Sequence, residues 1–297
     1  MSIKHLLSIN DLNGSEISSI ITRAISSKPM PFNNLLENQT VGIWFEKPSL
    51  RTRLSFEIGV KQLGGTTVYL DKDNIGVGSR EPIRDVANVI SRYIYAFIAR
   101  TFAHSTLTEF AKYSTIPIIN ALSDEEHPCQ TLADLVTIQE KFGTLKDITI
   151  AYIGDGNNVA RSLACGAYHM GMPFISSSPL EYKLTINDEM INKSIIHEIN
   201  PQKAMLAADV IYTDAWTSMG QEEEKNKRLQ DFNGYQVNSN LLDMAKPTVK
   251  FMHDLPAHPG EEIEDGLLYD ERSIVFNQAE NRLWAQTGLM EYIFSNL

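Results

Sequence analysis

Two cysteines, Cys129 and Cys165, are all that this 297-residue chain contains. So few thiols exclude a disulfide scaffold and leave no cysteine-rich metal cluster. Long apolar runs are missing as well, since no stretch approaches the about 18 consecutive apolar residues that a membrane span requires. The opening residues, MSIKHLLSINDLNGSEI, are interrupted early by polar positions. They lack the apolar core and small-residue cleavage site of a secretory leader, so a cytoplasmic protein is expected. Positive charge is scarce too: 26 Lys and Arg stand against 37 Asp and Glu, a net of -11. Such a surface repels nucleic acid and anionic membrane, and neither is expected as a partner. An anionic small substrate would need a local cluster of arginines set against the overall field.

Hydrophobic residues make up 43% and charged residues 21%, the balance of a globular protein, and the length suggests two domains. Short apolar runs alternate with longer amphipathic segments. Strands are predicted at 41–45, 66–70, 95–99 and 116–119, with helices at 50–63, 82–92 and 106–113 between them. A second series comes after a long helix at 131–142, with strands at 148–153, 209–213 and 249–252 and helices at 158–170, 222–232 and 279–294. This order predicts parallel sheets covered by helices. The expected fold class is therefore α/β, two doubly wound parallel-sheet domains joined by helices. Residues 1–130 form the first, with the C-terminal helix 279–297 packing back on them, and residues 131–278 form the second.

In such sheets ligands collect beyond the carboxyl ends of the strands. Phe45 is followed by Glu46-Lys47-Pro48-Ser49-Leu50-Arg51-Thr52-Arg53. A helix opens there, and its unpaired first-turn N–H groups and positive dipole end favour an anion. Two hydroxyls and two arginines suit a phosphate, or else a Ser N-cap with solvent-facing arginines. Arg100 ends an apolar strand, as an anion ligand or a rim salt bridge. His127-Pro128-Cys129-Gln130, read as the approach to a helix, offers an imidazole and an amide to a carbonyl group, or forms a capping loop with a buried His.

Gly154-Asp155-Gly156 comes directly after a strand, but Val159 stands where a dinucleotide fingerprint needs its third glycine, and no acidic residue ends the segment 173–177. Asn157 and Asn158 are better read as hydrogen-bonding groups for a polar ligand, or as caps. Asp214 precedes Ser218-Met219-Gly220: a carboxylate for an ammonium group and a loop able to close, or a capping Asp before an ordinary mobile loop. No His/Glu cluster has the spacing of a zinc site, His253 and His258 lying on a proline-broken loop. No nucleophile elbow or Walker loop occurs.

Taken in order, these segments resemble the transcarbamoylases, most closely their ornithine branch, over nearly the whole chain. Ser49-Leu50-Arg51-Thr52-Arg53 is similar to the family's Ser-Thr-Arg-Thr loop, and His127-Pro128-Cys129-Gln130 to its His-Pro-x-Gln motif. Asp214 through Ser218-Met219-Gly220 is similar to an ornithine-specific segment, His253-Asp254-Leu255-Pro256 to His-Cys-Leu-Pro, and Ala279-Glu280-Asn281-Arg282 to the closing helix. The resemblance implies transfer of the carbamoyl group of carbamoyl phosphate to the δ-amine of L-ornithine, giving L-citrulline and phosphate, as in arginine biosynthesis. Residues 1–130 would bind carbamoyl phosphate and 131–278 ornithine. Ser49, Leu50 through its backbone, Arg51, Thr52 and Arg100 would bind the phosphate. His127, Gln130 and Arg282 would polarise or orient the carbamoyl group, with the Leu255 backbone accepting from its amine. Asn158, Asp214, Ser218 and Met219 would hold the amino-acid end of ornithine, and Arg100, His127 and Asp254 would carry the catalytic work. The resemblance implies no metal or organic cofactor, and a homotrimer or a multiple of trimers.

Three positions depart from the family pattern. Leu50 replaces a Thr, which leaves the backbone N–H in place. Asn74 stands where the family often has Gln or His reaching into a neighbouring subunit's site, and is one methylene shorter than Gln. Asp254 replaces a Cys beside the reactive amine; an ionised carboxylate there would favour the δ-ammonium, or take its proton as a general base. Two other readings remain open at this point: a transcarbamoylase for a related amine, and a weakly active binding or regulatory paralogue.

Overall fold

The computed structural model describes residues 5–30, 32–71, 76–78, 80–218 and 220–296. The chain forms two compact units, Met1–Val136 with Glu280–Leu297, and Thr137–Ala279. It passes from one to the other inside two helices, Pro128–Phe142 and Val275–Phe294.

In the first unit, β1 (Thr40–Phe45), β2 (Thr66–Asp71), β3 (Ala96–Arg100) and β4 (Ile118–Leu122) form a wholly parallel sheet in the order β2-β1-β3-β4. β1 and β3 are near-continuous apolar runs buried on both faces, as inner strands of a parallel sheet must be. Trp44, Phe97 and Phe110 stack together in the core on one side of that sheet. The closing helix belongs to this unit from Glu280 onward. At Gly288 an added Cβ would stand 2.8 Å from backbone atoms of Ile20 and Ala24, so only glycine lets the helices Gly14–Ser27 and Val275–Phe294 approach so closely. Tyr292 also donates to Glu16 at 2.7 Å, and Thr287 and Met290 of the same helix sit against Gly59 of the helix Leu50–Gln62.

The second unit holds β5 (Ile150–Ile153), β6 (Phe174–Ser177), β7 (Ile195–His197), β8 (Val210–Thr213) and β9 (Lys250–His253), again all parallel, in the order β7-β6-β5-β8-β9. Its core gathers Ile211, Phe251, Trp216, Phe232 and Tyr235. Strand order reverses between β1 and β3 in one sheet and between β5 and β8 in the other. At each reversal successive connections leave toward opposite faces, and a crevice opens beyond the strand ends.

The α/β class with two parallel sheets is as expected; several boundaries are not. The helix expected at 131–142 starts at Pro128, because proline is at ease in a first turn where its missing N–H has no partner to lose. His127-Pro128-Cys129-Gln130 is therefore largely helix rather than approach loop. The segment 222–232 divides into a 3₁₀ turn, Glu222–Glu224, and the helix Lys225–Asp231. Among the elements not anticipated are the edge strand β7, the short helices Glu189–Ser194, Pro201–Met205 and Ser239–Leu242, and the helix Gly14–Ser27, opened by an Asn13–Glu16 capping box. Among the described residues no helix is long and apolar enough to cross a membrane.

Candidate active site

In the first unit, Ser49 adopts an extended backbone and caps the helix Leu50–Gln62, its Oγ accepting from the Thr52 N–H at 3.3 Å. The Leu50 side chain is exposed, Arg51 is half-buried and Thr52 is buried. Arg53 turns away. Its Nε donates to Glu57 at 2.8 Å and its guanidinium lies 4.1 Å from the centroid of the Tyr69 ring, so the motif supplies one arginine here and not the expected two.

Thr52 Oγ1 accepts from Arg282 Nη2 at 3.0 Å, while Arg282 Nη1 donates to Gln130 Oε1 at 2.5 Å. Gln130 Nε2 in turn donates to Asp134 Oδ1 at 2.8 Å. All four residues are buried. A carboxylate at one end and a guanidinium at the other leave the Gln130 amide one orientation that satisfies both. Asp134 was missed in the sequence; its signal was a carboxylate one helical turn beyond Gln130.

Arg100 closes β3 opposite Phe45, buried, its carbonyl accepting from the Glu46 N–H at 2.8 Å. His127 is buried and held well below the usual imidazole range, first by burial, then by the positive charges of Arg282 and Arg100. It is therefore a neutral hydrogen-bonding imidazole. Burial, followed by Arg100, also lowers the Lys47 ammonium, a second group that sequence reasoning left out. Cations this close to one another suit an anion. Cys129 is no nucleophile: burial pushes its thiol up to about 12, and Sγ donates to the Asn120 carbonyl. Asn74 lies outside the described residues.

In the second unit, Asn157 caps the helix Asn158–His169, accepting from the Val159 and Ala160 N–H groups. Its Nδ2 donates to Asp214 Oδ2 at 2.7 Å, tying the loop after β5 to the loop after β8. Asn158, half-buried, is the first residue of that helix. Gly156 owes nothing to a nucleotide, because an added Cβ would stand 2.5 Å from the Leu184 backbone. Asp155 instead pairs with Arg228 at 2.6 Å; burial raises its carboxyl and the Arg228 hydrogen bond opposes that rise. The Ser218 N–H donates to Gln221 at 3.1 Å, and Met219 lies outside the described residues.

Asp214, His253 and Asp254 each bring a polar atom within 4.8 Å of the others. His253 is buried and committed at both ring nitrogens. Nδ1 accepts from the Leu255 N–H at 2.9 Å, which assigns the ring proton to Nε2, 3.1 Å from Glu262 Oε1. Leu255, at φ +61°, thus has its N–H occupied and its carbonyl left to offer. A metal at Asp214–His253–Asp254 would have to break one of the His253 bonds, whereas an ammonium group needs only the two carboxylates. The second group within such reach, His258, Glu261 and Glu262, is committed as well: Glu261 pairs with Lys225 at 2.6 Å, and Glu262 accepts from His253 and from the His258 N–H.

Comparison with known proteins matches residues 4–140 to the family described as aspartate/ornithine carbamoyltransferase, carbamoyl-P binding domain. Residues 146–293 match aspartate/ornithine carbamoyltransferase, Asp/Orn binding domain. The chain is 46% identical over 298 residues to the ornithine carbamoyltransferase of Archaeoglobus fulgidus, covering 97% of this chain and 96% of that one. Among solved structures, the ornithine carbamoyltransferase from Pyrococcus furiosus superposes with a TM-score of 0.93 at 41% identity, covering 99% and 98% of the two chains. The anabolic ornithine carbamoyltransferase from Campylobacter jejuni gives 0.94 at 31% identity, covering 99% and 100%.

Proposed function

This chain belongs to the aspartate/ornithine carbamoyltransferase family, and from that premise we propose that it transfers the carbamoyl group of carbamoyl phosphate to the δ-amine of L-ornithine, giving L-citrulline and phosphate. The choice of acceptor rests on one observation, the Asp214–Asp254 pair at the ends of β8 and β9. Two carboxylates attract an amino acid with a cationic side chain and repel one, such as aspartate, that brings a second carboxylate.

The first unit takes the donor. Ser49, the Leu50 backbone, Arg51, Thr52 and Arg100 bind the phosphate, with Asn74 assigned to the same donor. Neutral His127 and Arg282 stabilise the carbamoyl oxygen as it becomes an oxyanion. The Gln130 and Leu255 carbonyls accept from the carbamoyl amine. Asn158, Asp214, Ser218 and Met219 hold the acceptor. The neutral δ-amine attacks the carbamoyl carbon, a tetrahedral intermediate forms, the carbon–oxygen bond to phosphate breaks, and the proton lost by the amine ends on the departing phosphate. Phosphate is a good leaving group, so the chemistry calls for no metal or organic cofactor.

The protein is read as a cytoplasmic homotrimer or multiple of trimers serving arginine biosynthesis. Exposed Leu50, Leu54 and Ile58, spaced four apart on one helix, support a self-association face. The net charge of -11 argues against a nucleic-acid partner. Citrulline-type product formation with ornithine, aspartate, putrescine and N-acetylornithine across pH tests the reading. Turnover confined to ornithine is expected. Preference for another amine would show that Asp254 has reset the acceptor, and no turnover at all would favour a binding paralogue.

A further inference from the structure

Segment 222–232 reads as a charged helix, yet the Arg228 side chain is only 7% exposed. Its guanidinium reaches two different loops. Nη1 donates to Asp155 Oδ2 at 2.6 Å, after β5, and to the Trp216 carbonyl at 2.9 Å, after β8. Nε donates to Glu224 at 2.9 Å, and the group lies 4.9 Å from the centroid of the Tyr182 ring. Trp216 is itself stacked on Phe232, ring centroids 5.2 Å apart at 17°.

β5 and β8 flank the reversal of strand order, and their ladder ends at Tyr152 and Tyr212. Beyond it the loops are held together by side chains. Asn157–Asp214 is one tie and Arg228 is another.

We propose that Arg228 is a positioning residue for the amino-acid acceptor: by clipping Trp216 to Asp155 it sets the spacing between Asn158 and the Asp214–Ser218 loop. The inference rests on the reading that those residues hold ornithine. A guanidinium suits the task because Nη1 serves a carboxylate and a carbonyl while Nε, fixed in the same plane, holds Glu224, whereas a lysine offers a single nitrogen on a flexible stem.

The test is steady-state kinetics of the full chain carrying Arg228→Met or Arg228→Lys, with ornithine and carbamoyl phosphate varied separately. Amide exchange of segment 214–221 is monitored in parallel without substrates. Arg228→Met is expected to raise the KM for ornithine about tenfold or more, to leave that for carbamoyl phosphate within about twofold, and to lower kcat less. Arg228→Lys recovers part of the loss, and exchange in 214–221 quickens in the Met variant. An equal rise in both KM values, or unchanged exchange in 214–221, overturns the proposal. Should Arg228→Met not fold, the KM split in Arg228→Lys decides. A wild-type chain inactive with ornithine would defeat the acceptor reading instead, and the exchange measurement would still show whether Arg228 restrains the loop.

Discussion

At the β1–β3 reversal the first unit brings Arg100 and Arg282 to a neutral His127, with Lys47 close to Arg100. At the β5–β8 reversal the second unit sets Asp214 beside Asp254 from neighbouring β9, and pairs its third carboxylate, Asp155, with Arg228. The backbone plan is the same in both: parallel strands, a strand-order reversal, a capped helix starting just beyond. Apart from the extra edge strand β7 of the second unit, the telling difference lies in the side chains at the strand ends. The fold supplies a place where ligands can be held, and the charge placed there differs, positive in one unit and negative in the other. The cationic cluster stands against a chain that is acidic overall, whereas the acidic one runs with it.

The sharpest way to break this contrast is Arg100→Leu. Citrulline formation should fall about 1000-fold or more in kcat/KM, since a buried charge on the donor is lost. The imidazole of His127 should then protonate more readily, because Arg100 is one of the charges keeping it neutral. A small effect would mean that the cations are structural. Next in size is Asp214→Asn, expected to raise the KM for ornithine about 100-fold and to leave that for carbamoyl phosphate nearly unchanged. Equal damage to both would erase the division of labour.

Asp254→Cys probes the sign within the acidic cluster. An ionised carboxylate stabilises the bound δ-ammonium and so raises the pH at which the amine becomes nucleophilic; removing it should shift the acidic limb of the kcat profile down by about one pH unit. An unmoved limb removes both the holding and the general-base roles. The smallest effect is expected for Arg53→Ala, less than about threefold on activity, because Arg53 is engaged with Glu57 and Tyr69. A loss matching that of Arg51→Ala would return it to the phosphate site.

The parallel sheets were legible because buried strands such as Phe97–Ile98–Ala99 leave unbroken apolar runs, and the residues just past their carboxyl ends are conspicuously polar. The three residues of β7 are too short for any such pattern, and its Ile196 is exposed. The helix Gly14–Ser27 carried its signal, with Ile17, Ile20, Ile21 and Ala24 at helical spacing, masked by serines that weaken helical propensity. Within the candidate site, residue type and position after a strand are what single out Arg51, Arg100, His127 and Asp214. Asp134 and Arg228 stayed hidden because their work lies in what they touch: Asp134 looks like one acid on an amphipathic helix, and Arg228 like one charge among many in 222–232. Arg53 misled for the same reason, since spacing cannot tell an arginine facing an anion from one turned to a neighbouring glutamate.

Arg282 has a consequence for biogenesis. Thr52, Gln130 and Asp134 leave the ribosome long before the guanidinium that links them, because the whole of 137–279 is made in between. At about 5–20 residues per second that interval is on the order of ten seconds. Throughout it the nascent first unit lacks the latch across its candidate donor site. The latch forms only when the helix Val275–Phe294 docks on Gly14–Ser27 and Leu50–Gln62, so the candidate donor site is completed only after the second unit has been made.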